Sequence, residues 1–249
     1  MSELESAVAA AHAAGTVLLE RWPAEREVRV KGFRDIVTEA DVAAQATIIE
    51  RLKGDFPDHA ILAEEGGAPY SGAGDLCPTW VVDPLDGTTN YAHRLPNWSV
   101  AIGLVYGSEA RVGVVHDPLR SLVFWAERGR GAYLSRAGGP AERLEVSRTE
   151  RFASAVVAVD WARDDDVRRE TVRTFDKVAL ACTSVRSLGS ACLAAAYLAA
   201  GWLDAYFHFA LQPWDMAGPG LIVAEAGGRL TTPEGEPWQV GQPRLACSN

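Results

Sequence analysis

The sequence predicts a mixed α/β fold, in which helices with one apolar face alternate with short apolar strands. The first helix is predicted from a capping box at Ser2 and Glu5, followed by apolar residues at helical spacing up to Pro23. A buried strand is predicted from the aromatic and β-branched run at 80–82. With 249 residues and 48% hydrophobic content, the chain can bury a large core. We therefore expect one globular domain or two tightly packed halves.

The remaining N-terminal elements are predicted from periodicity and turn residues. Residues 27–31 alternate like a strand, and a helix is predicted from Asp35 to about Lys53, with Thr38 or Asp41 as its N-cap. A segment rich in Gly and Ser, at 70–78, is predicted to be a mobile loop. Apolar runs predict strands at 60–63, 80–82, 98–105, 111–116 and 122–127.

The C-terminal elements continue this alternation. Helices are predicted at 164–180, 191–200 and 216–226. Strands are predicted at 155–159, 184–188 and 203–210, with a last pair near the C-terminus. The composition changes around Gly138-Gly139-Pro140. We therefore expect an N-terminal α+β half at 1–139 and a C-terminal α/β half at 140–249.

Charge and composition exclude several classes of protein. The net charge of −9 and the lack of a Lys and Arg run argue against a nucleic-acid groove. The longest apolar run, near 191–200, is too short to span a bilayer, and the N-terminus lacks the basic region of a signal peptide. The cysteines follow no CxxC pattern and are expected to be reduced thiols. A cytoplasmic protein without a membrane partner is expected.

Two aspartates and a helix start are predicted to meet after the strand at 80–82. Asp83 stands where that strand is expected to end, because Pro84 interrupts the ladder of hydrogen bonds. Asp86 and Gly87 form a turn signal, and residues 88–90 are suited to begin a helix whose free N–H groups attract anions. The alternative interpretation is an ordinary surface turn, since these residue types favour turns whatever the function.

Other acidic residues of the chain also stand directly after a predicted strand or at the start of a predicted helix. Glu64-Glu65 follows the strand at 60–63, and Asp215 opens the helix at 216–226. The alternatives are a solvated loop for the glutamates and an N-cap role for Asp215. Carboxylate oxygens without accompanying histidine or cysteine are typical ligands of Mg²⁺ and argue against zinc. Such acids would repel one another unless cations separated them.

The sequence resembles a known family in two motifs. Residues 83–90 (DPLDGTTN) and 214–218 (WDMAG) resemble the two signatures of the inositol monophosphatase family of magnesium-dependent sugar-phosphate phosphatases. The resemblance spans nearly the whole chain. It implies a layered α/β/α/β/α sandwich of the inositol monophosphatase and fructose-1,6-bisphosphatase type, two or three Mg²⁺ ions per site, and a homodimer.

The resemblance also implies a metal-ligand set. Glu64, Asp83 and the Leu85 carbonyl would hold one metal ion. Asp83, Asp86 and Asp215 would hold a second ion. Water activated by the metal would attack phosphorus without a covalent phosphoenzyme.

Catalytic and phosphate-binding residues follow from the same resemblance. Glu64 would orient the attacking water, aided by the pair Asp41 and Thr88. The phosphate would rest on the N–H groups of Gly87 and Thr88. For Asp41, an N-cap or first-turn role remains the alternative.

The resemblance assigns contacts to the substrate ring as well. Gly189, Ser190 and Ala191 match the family's G-[ST]-A motif, which lines the ring, and Asp86 and Asp215 are expected to contact substrate. Seven residues before Asp215, inositol-selective members carry a glutamate that contacts ring hydroxyls, and this chain has His208. His208 can donate a hydrogen bond, and at slightly acid pH it can carry positive charge. The alternative is a strand residue facing solvent or core.

These inferences favour a Mg²⁺-dependent phosphomonoesterase acting on inositol 1-phosphate or a similar small polyol or sugar phosphate. The alternatives within this chemistry are a fructose-1,6-bisphosphatase and a histidinol-phosphatase. A further alternative is a catalytically silent scaffold of the same fold. The intact set of carboxylates argues against the scaffold, because clustered acids are costly to keep.

Overall fold

The computed structural model describes residues 1–23, 27–66 and 77–249. The loop predicted at 70–78 lies mostly outside these ranges. The helices in the described ranges are α1 (Glu3–Arg21), α2 (Glu39–Asp55), α3 (Thr88–Ala92), α4 (Asp165–Ala181), α5 (Ala191–Ala199) and α6 (Pro213–Glu225). Among these helices, none has the length and apolar character needed to cross a bilayer.

The strands of the described ranges form three sheets. They are β1 (Val28–Gly32), β2 (Asp35–Thr38), β3 (Ala60–Ala63), β4 (Thr79–Asp86), β5 (Ser99–Tyr106), β6 (Glu109–Asp117), β7 (Leu122–Glu127), β8 (Ala132–Arg136), β9 (Glu142–Arg143), β10 (Val156–Val159), β11 (Ser184–Arg186), β12 (Ala205–His208), β13 (Arg229–Thr231) and β14 (Leu245–Ser248). A seven-stranded sheet has the order β3-β4-β5-β6-β7-β8-β9, and its β3 and β4 run parallel. A five-stranded sheet has the order β11-β10-β12-β14-β13, and β1 pairs with β2 alone.

Helices and sheets alternate in five layers. The helices α1 and α2 cover one face of the seven-stranded sheet, where Leu18 and Ile48 share a core with Trp80. The helices α5 and α6 fill the space between the two large sheets. Phe175 of α4 packs on the outer face of the five-stranded sheet, against a cluster that includes Phe207. The α/β/α/β/α arrangement implied by the resemblance is therefore confirmed.

The residues of strand β4 are apolar on both faces of the sheet because both faces are covered by helices. Trp80 and Val82 point into the core beneath α1 and α2, whereas Val81 belongs to the core that contains α5 and α6. Successive side chains of a strand point to opposite faces, so a strand between two helical layers needs apolar residues at every position. The aspartates at the end of this strand, Asp83 and Asp86, are therefore also buried.

Two sequence predictions about element ends are wrong. Residues Asp35–Thr38 form strand β2, favoured by β-branched Ile36 and Val37, and the helix begins only at Glu39. Of the two N-caps predicted for it, Thr38 is confirmed. Strand β4 also continues past Pro84 to Asp86. Its pairing shifts between Asp83 and Asp86, so Pro84 produces a β-bulge in the ladder instead of the end of the strand.

Glycines let α6 lie directly against the seven-stranded sheet. A Cβ on Gly103 of β5 would approach the Gly218 nitrogen of α6 to 2.6 Å, and a Cβ on Gly218 would approach the Ile102 oxygen to 2.6 Å. Backbone therefore touches backbone at this crossing, which only glycine permits. The first turn of α6, with Asp215, is brought close to the end of β4 by this contact.

Candidate active site

A cavity of about 790 Å³ lies where the ends of β3, β4, β10 and β12 meet the starts of α3, α5 and α6. The site residues predicted from the sequence that line it are Glu64, Asp83, Leu85, Asp86, Gly87, Thr88, Gly189, Ser190, Ala191, His208 and Asp215. Asp41 is fully buried behind the lining and contacts it through Thr88. The structure thus brings together residues from six separate stretches of the chain.

Asp83 occupies the bulge near the end of β4. Its Oδ1 accepts the Leu85 N–H at 3.0 Å, which fixes one oxygen of the carboxylate. The side chain is almost completely buried. Burial raises the pKa of Asp83 well above its usual value, and the neighbouring charges of Glu64, Asp86 and Asp215 raise it further. Carboxylate oxygens of Asp83 and Asp86 lie within 4.8 Å of each other, and Glu64 and Asp215 line the same cavity.

Asp86 is held by the N-terminus of α5. Its Oδ1 accepts the Ala191 N–H at 3.2 Å, and its Oδ2 accepts the Cys192 N–H at 2.9 Å and the Ser190 hydroxyl. Burial raises the pKa of Asp86, and these hydrogen bonds oppose the rise. Sequence reasoning missed this role of Ser190 and Ala191, which anchor Asp86 as well as lining the cavity. The N-cap character of Ser190 was the available signal.

Asp215 sits in the first turn of α6, where Gln212 is the N-cap residue. Its Oδ2 accepts the Gln212 N–H at 2.7 Å, so the N-cap role considered for Asp215 is wrong. Burial raises the pKa of Asp215 well above its usual value, and the charges of Asp86 and Glu64 add to the rise. One oxygen is thereby fixed by the backbone, as in Asp83.

A thiol lies beside the aspartates, contrary to the expectation that no cysteine accompanies them. Ligand atoms of Asp83, Asp86 and Cys192 lie within 4.8 Å of one another. Pro219 inside α6 has no N–H to donate to the Asp215 carbonyl four residues earlier, and the Cys192 thiol donates to that carbonyl at 3.3 Å. Burial raises the pKa of Cys192 well above its usual value, and the charges of Asp86 and Asp83 add to the rise.

Glu64 is paired with cations that sequence reasoning missed. Lys31 Nζ lies 3.1 Å from Glu64 Oε1 and 2.7 Å from Glu65 Oε1. Arg163 Nη2 lies 3.9 Å from the same Glu64 oxygen. Burial raises the pKa of Glu64 and Lys31 lowers it. Lys31 and Arg163 therefore stabilise the ionised form of Glu64. The alternating pattern of residues 27–31 predicted a strand but did not predict this contact of Lys31.

Asp41, Thr88 and Leu85 form a hydrogen-bonded chain behind the cavity. Thr88 Oγ1 lies 2.9 Å from Asp41 Oδ1 and 3.1 Å from the Leu85 carbonyl oxygen. Asp41 Oδ2 accepts both the N–H and the hydroxyl of Thr38, which completes a capping box on α2. Burial raises the pKa of Asp41 to about 6. A threonine hydroxyl that donates its proton to a buried carboxylate still has lone pairs, so it can accept a hydrogen bond from another group.

Gly87 is required for the turn between β4 and α3. Its φ of 91° is in the left-handed region, and a Cβ there would lie 2.9 Å from the Asn97 oxygen and 3.1 Å from the Gly189 oxygen. Asn90 was predicted only as part of the helix start and the signature motif, and its side chain donates to the Asn97, Leu188 and Gly189 carbonyls at 2.6, 2.8 and 3.2 Å. These bonds join the two loops that carry the predicted phosphate and ring contacts.

His208 is a neutral donor to the cavity. Its Nδ1 accepts the Ala210 N–H at 3.0 Å, so the ring proton resides on Nε2. Burial lowers the pKa of His208 to about 4, and the charge of Arg163 contributes. The expectation of a positive charge at slightly acid pH is therefore wrong, because a buried imidazole resists protonation.

Comparison with known proteins places this site in a family context. A sequence model of the inositol monophosphatase family matches residues 1–249. Inositol monophosphatase 2 of Solanum lycopersicum is 36% identical over 251 residues, which cover 99% of this chain and 93% of that protein. Nus factor SuhB of Escherichia coli (strain K12) is 37% identical over 228 residues, covering 90% and 83%. The structure of a Thermotoga maritima IMPase superposes with a TM-score of 0.88 at 34% identity, covering 100% and 92%.

Proposed function

The chain belongs to the inositol monophosphatase family, a family of phosphatases, and from that premise we propose that it is a Mg²⁺-dependent phosphomonoesterase. Its proposed substrate is inositol 1-phosphate or a similar small polyol or sugar phosphate. The observation that carries the proposal is the convergence of Glu64, Asp83, Asp86 and Asp215 on one cavity. Acids crowded in this way need cations to offset their repulsion.

The proposed metal ligands fit hard cations. Glu64, Asp83 and the Leu85 carbonyl would hold one Mg²⁺, and Asp83, Asp86 and Asp215 would hold a second. All of these donors are oxygens, which Mg²⁺ prefers. Bound Mg²⁺ supplies Lewis-acid stabilisation of the phosphoryl oxygens and makes water a better nucleophile at neutral pH.

The protein side chains would position the reacting groups. With its hydroxyl donating to Asp41, Thr88 would accept a hydrogen bond from the attacking water, and Glu64 would orient the same water. The N–H groups of Gly87 and Thr88 would receive the phosphate. Attack by water in line with the leaving oxygen requires no covalent intermediate.

Substrate contacts are proposed from the same cavity wall. Residues 189–191 would pack on the ring, and His208 would donate to one of its hydroxyl groups. The homodimer, the cytoplasmic location, the absence of a nucleic-acid partner and the division into halves at about residue 139 stay predictions.

The test compares inorganic phosphate release from three substrates with Mg²⁺ and with a chelator. Inositol 1-phosphate, fructose 1,6-bisphosphate and histidinol phosphate represent the proposed function and its two alternatives. We expect turnover that depends on Mg²⁺ and is fastest with inositol 1-phosphate. A different order would select an alternative substrate, and inactivity on all three with Mg²⁺ would favour the silent scaffold.

A further inference from the structure

Asp160 is a carboxylate on the cavity wall that the mechanism above does not use. It directly follows β10, lines the cavity and is only 6% exposed. Its Oδ1 accepts the Gly189 N–H at 2.8 Å and the Ser187 hydroxyl at 3.0 Å. Its Oδ2 is buried and meets no hydrogen-bond donor in the described part of the chain. A buried acceptor without a donor is costly, and its place on a cavity wall suggests that a ligand supplies the donor.

Asp160 and His208 lie at the carboxyl ends of β10 and β12, two neighbouring parallel strands in the interior of the five-stranded sheet. The strands pair Val159 with Phe207, and the next residue along each chain is Asp160 and His208 respectively. His208 presents a donor at Nε2, because its Nδ1 already accepts the Ala210 N–H. The Oδ2 of Asp160 is an acceptor that is itself buried and that no described donor satisfies. The ends of these two strands therefore place an unsatisfied acceptor and a donor on neighbouring residues of the cavity wall.

We propose that Asp160 is a specificity-determining residue whose Oδ2 accepts a hydrogen bond from a ring hydroxyl of a polyol phosphate, while His208 Nε2–H donates to a neighbouring hydroxyl. The inference rests on the proposed phosphatase function and names the part of the substrate that the wall recognises. In inositol-selective relatives the resemblance places a glutamate at position 208. In this chain the acceptor comes from the adjacent strand instead.

The pairing of an acceptor with a donor, and not the charge of the cavity, favours a polyol. Three arginines line the cavity together with seven acidic residues, so its charge does not repel an ammonium group. Burial raises the pKa of Asp160 to about 6, and the hydrogen bonds from Gly189 and Ser187 oppose the rise. At pH 8 the carboxylate is therefore ionised and can only accept, and hydroxyl groups are the donors that a polyol provides.

The experiment compares wild type with Asp160→Asn on inositol 1-phosphate and on cyclohexyl phosphate, with Mg²⁺ at pH 8. Asparagine keeps the shape and an oxygen for the Gly189 N–H but replaces an acceptor by a donor. We expect KM for inositol 1-phosphate to rise about 10- to 100-fold more than KM for cyclohexyl phosphate, with a smaller change in kcat. Equal changes for both substrates would overturn the proposal, because Asp160 would then only support the Gly189 loop.

The Ser187→Ala variant is the matched control. It removes a partner of Oδ1 and leaves Oδ2 intact, so it should change KM for both substrates by the same factor. If it discriminated between them as strongly as Asp160→Asn does, the contact would be assigned to the loop and the proposal would fail.

Two further measurements test the proposal independently of the comparison above. If Asp160→Asn does not fold, the test uses the wild type alone. Its KM for inositol 1-phosphate should then be at least about 10-fold below its KM for cyclohexyl phosphate. Equal KM values for the two substrates would overturn the proposed hydroxyl contact. If Asp160→Asn instead raises KM most for histidinol phosphate, the ligand group is an ammonium and the polyol assignment is wrong. Absence of any Mg²⁺-dependent phosphate release by wild type contradicts the proposed function itself, which is a distinct result.

Discussion

Backbone amides fix individual oxygens of three acidic side chains in the cavity. Leu85 N–H holds Asp83, the start of α5 holds Asp86, and Gln212 N–H holds Asp215. Each carboxylate is thereby oriented before any ligand arrives. Preorganised donors and acceptors lower the entropic cost of binding and help to place reacting groups.

The first prediction concerns Asp86. Asp86→Asn keeps the side-chain volume but removes a charge, and its NH₂ would face the amide donors of α5. We expect Mg²⁺-dependent turnover of inositol 1-phosphate to fall by several orders of magnitude in steady-state kinetics. Asp204 is a matched control, since it is also buried and accepts the Val156 N–H at 2.6 Å, but it lies outside the cavity lining. Asp204→Asn should retain turnover, and a similar retention by Asp86→Asn would contradict the site.

The second prediction concerns the hydroxyl of Thr88. Thr88→Val is close in shape and loses the hydroxyl that lies between Asp41 and the cavity. We expect kcat to fall about 10²- to 10⁴-fold, the usual contribution of a group that assists proton transfer. Thr88→Ser keeps the hydroxyl and should retain most of kcat. Equal losses in the two variants would mean that the methyl group matters and the hydroxyl does not.

At the scale of elements, the close packing of α6 on the sheet determines where Asp215 lies. The glycines at 103 and 218 allow direct backbone contact, and Pro219 leaves the Asp215 carbonyl free to accept the Cys192 thiol. Asp215 is three residues before Gly218, about one helical turn. A small displacement of α6 would therefore move a proposed metal ligand directly.

The third prediction tests this contact with Gly218→Ala. The added Cβ would lie 2.6 Å from the Ile102 oxygen, so α6 must shift away from the sheet. We expect a loss of about 1–3 kcal/mol in unfolding free energy and weaker Mg²⁺ binding by calorimetry. Gly220→Ala is the control on the same helix, because its Cβ would meet only side-chain atoms, the nearest being Leu230 Cδ2 at 3.2 Å. If both variants bound Mg²⁺ like wild type, the packing would not position Asp215.

The elements that sequence reasoning predicted best are those with local causes. Strand β4 and helix α1 follow from apolar periodicity and a capping box, and the acid at the end of β4 follows from its position. Strand β2 was predicted as helix because a four-residue strand in a two-stranded hairpin has little periodicity. Lys31 and Asp160 escaped notice because their partners are distant in sequence, at Glu64 and Gly189.

At the scale of the whole molecule, the acidic cavity lowers the stability of the fold, and bound cations should restore that stability. Burial and mutual repulsion raise the pKa values of Asp83 and Asp215, so the charged cluster destabilises the fold when no cation is bound. The fold nevertheless keeps these acids together through the packing of α5 and α6 between the two large sheets. Stability and metal binding should therefore be linked.

The fourth prediction is that Mg²⁺ raises the midpoint of thermal unfolding relative to the chelated protein. A ligand at 100 times its dissociation constant adds about 2.7 kcal/mol to the free energy of unfolding. Differential scanning calorimetry with Mg²⁺, and with NaCl at equal ionic strength as control, measures the shift. An identical midpoint in both solutions would mean that the folded cavity does not bind Mg²⁺.

A buried histidine gives the last prediction, which concerns the packing of α1 on the seven-stranded sheet. His116 of β6 lies against Gly15, where a Cβ would come within 2.6 Å of the ring, and its Nδ1 lies 3.1 Å from the Ala11 oxygen. Burial lowers the pKa of His116 to about 4, from an ordinary value of 6.5, and the nearby His12 contributes. The unfolded chain therefore binds a proton before the folded one does as the pH falls.

Stability due to neutral His116 should be present above about pH 6.5 and should be lost progressively as the pH falls toward about 4. The loss is at most about 3 kcal/mol, since one pKa unit corresponds to about 1.4 kcal/mol. Urea unfolding of wild type and His116→Gln between pH 7.5 and 4.5 measures it, and the difference between the two proteins cancels the titration of the cavity acids. Because glutamine does not titrate, the wild type should lose stability relative to the variant on acidification. A difference that stays constant across this range would mean that His116 is protonated in the fold as readily as in the unfolded chain.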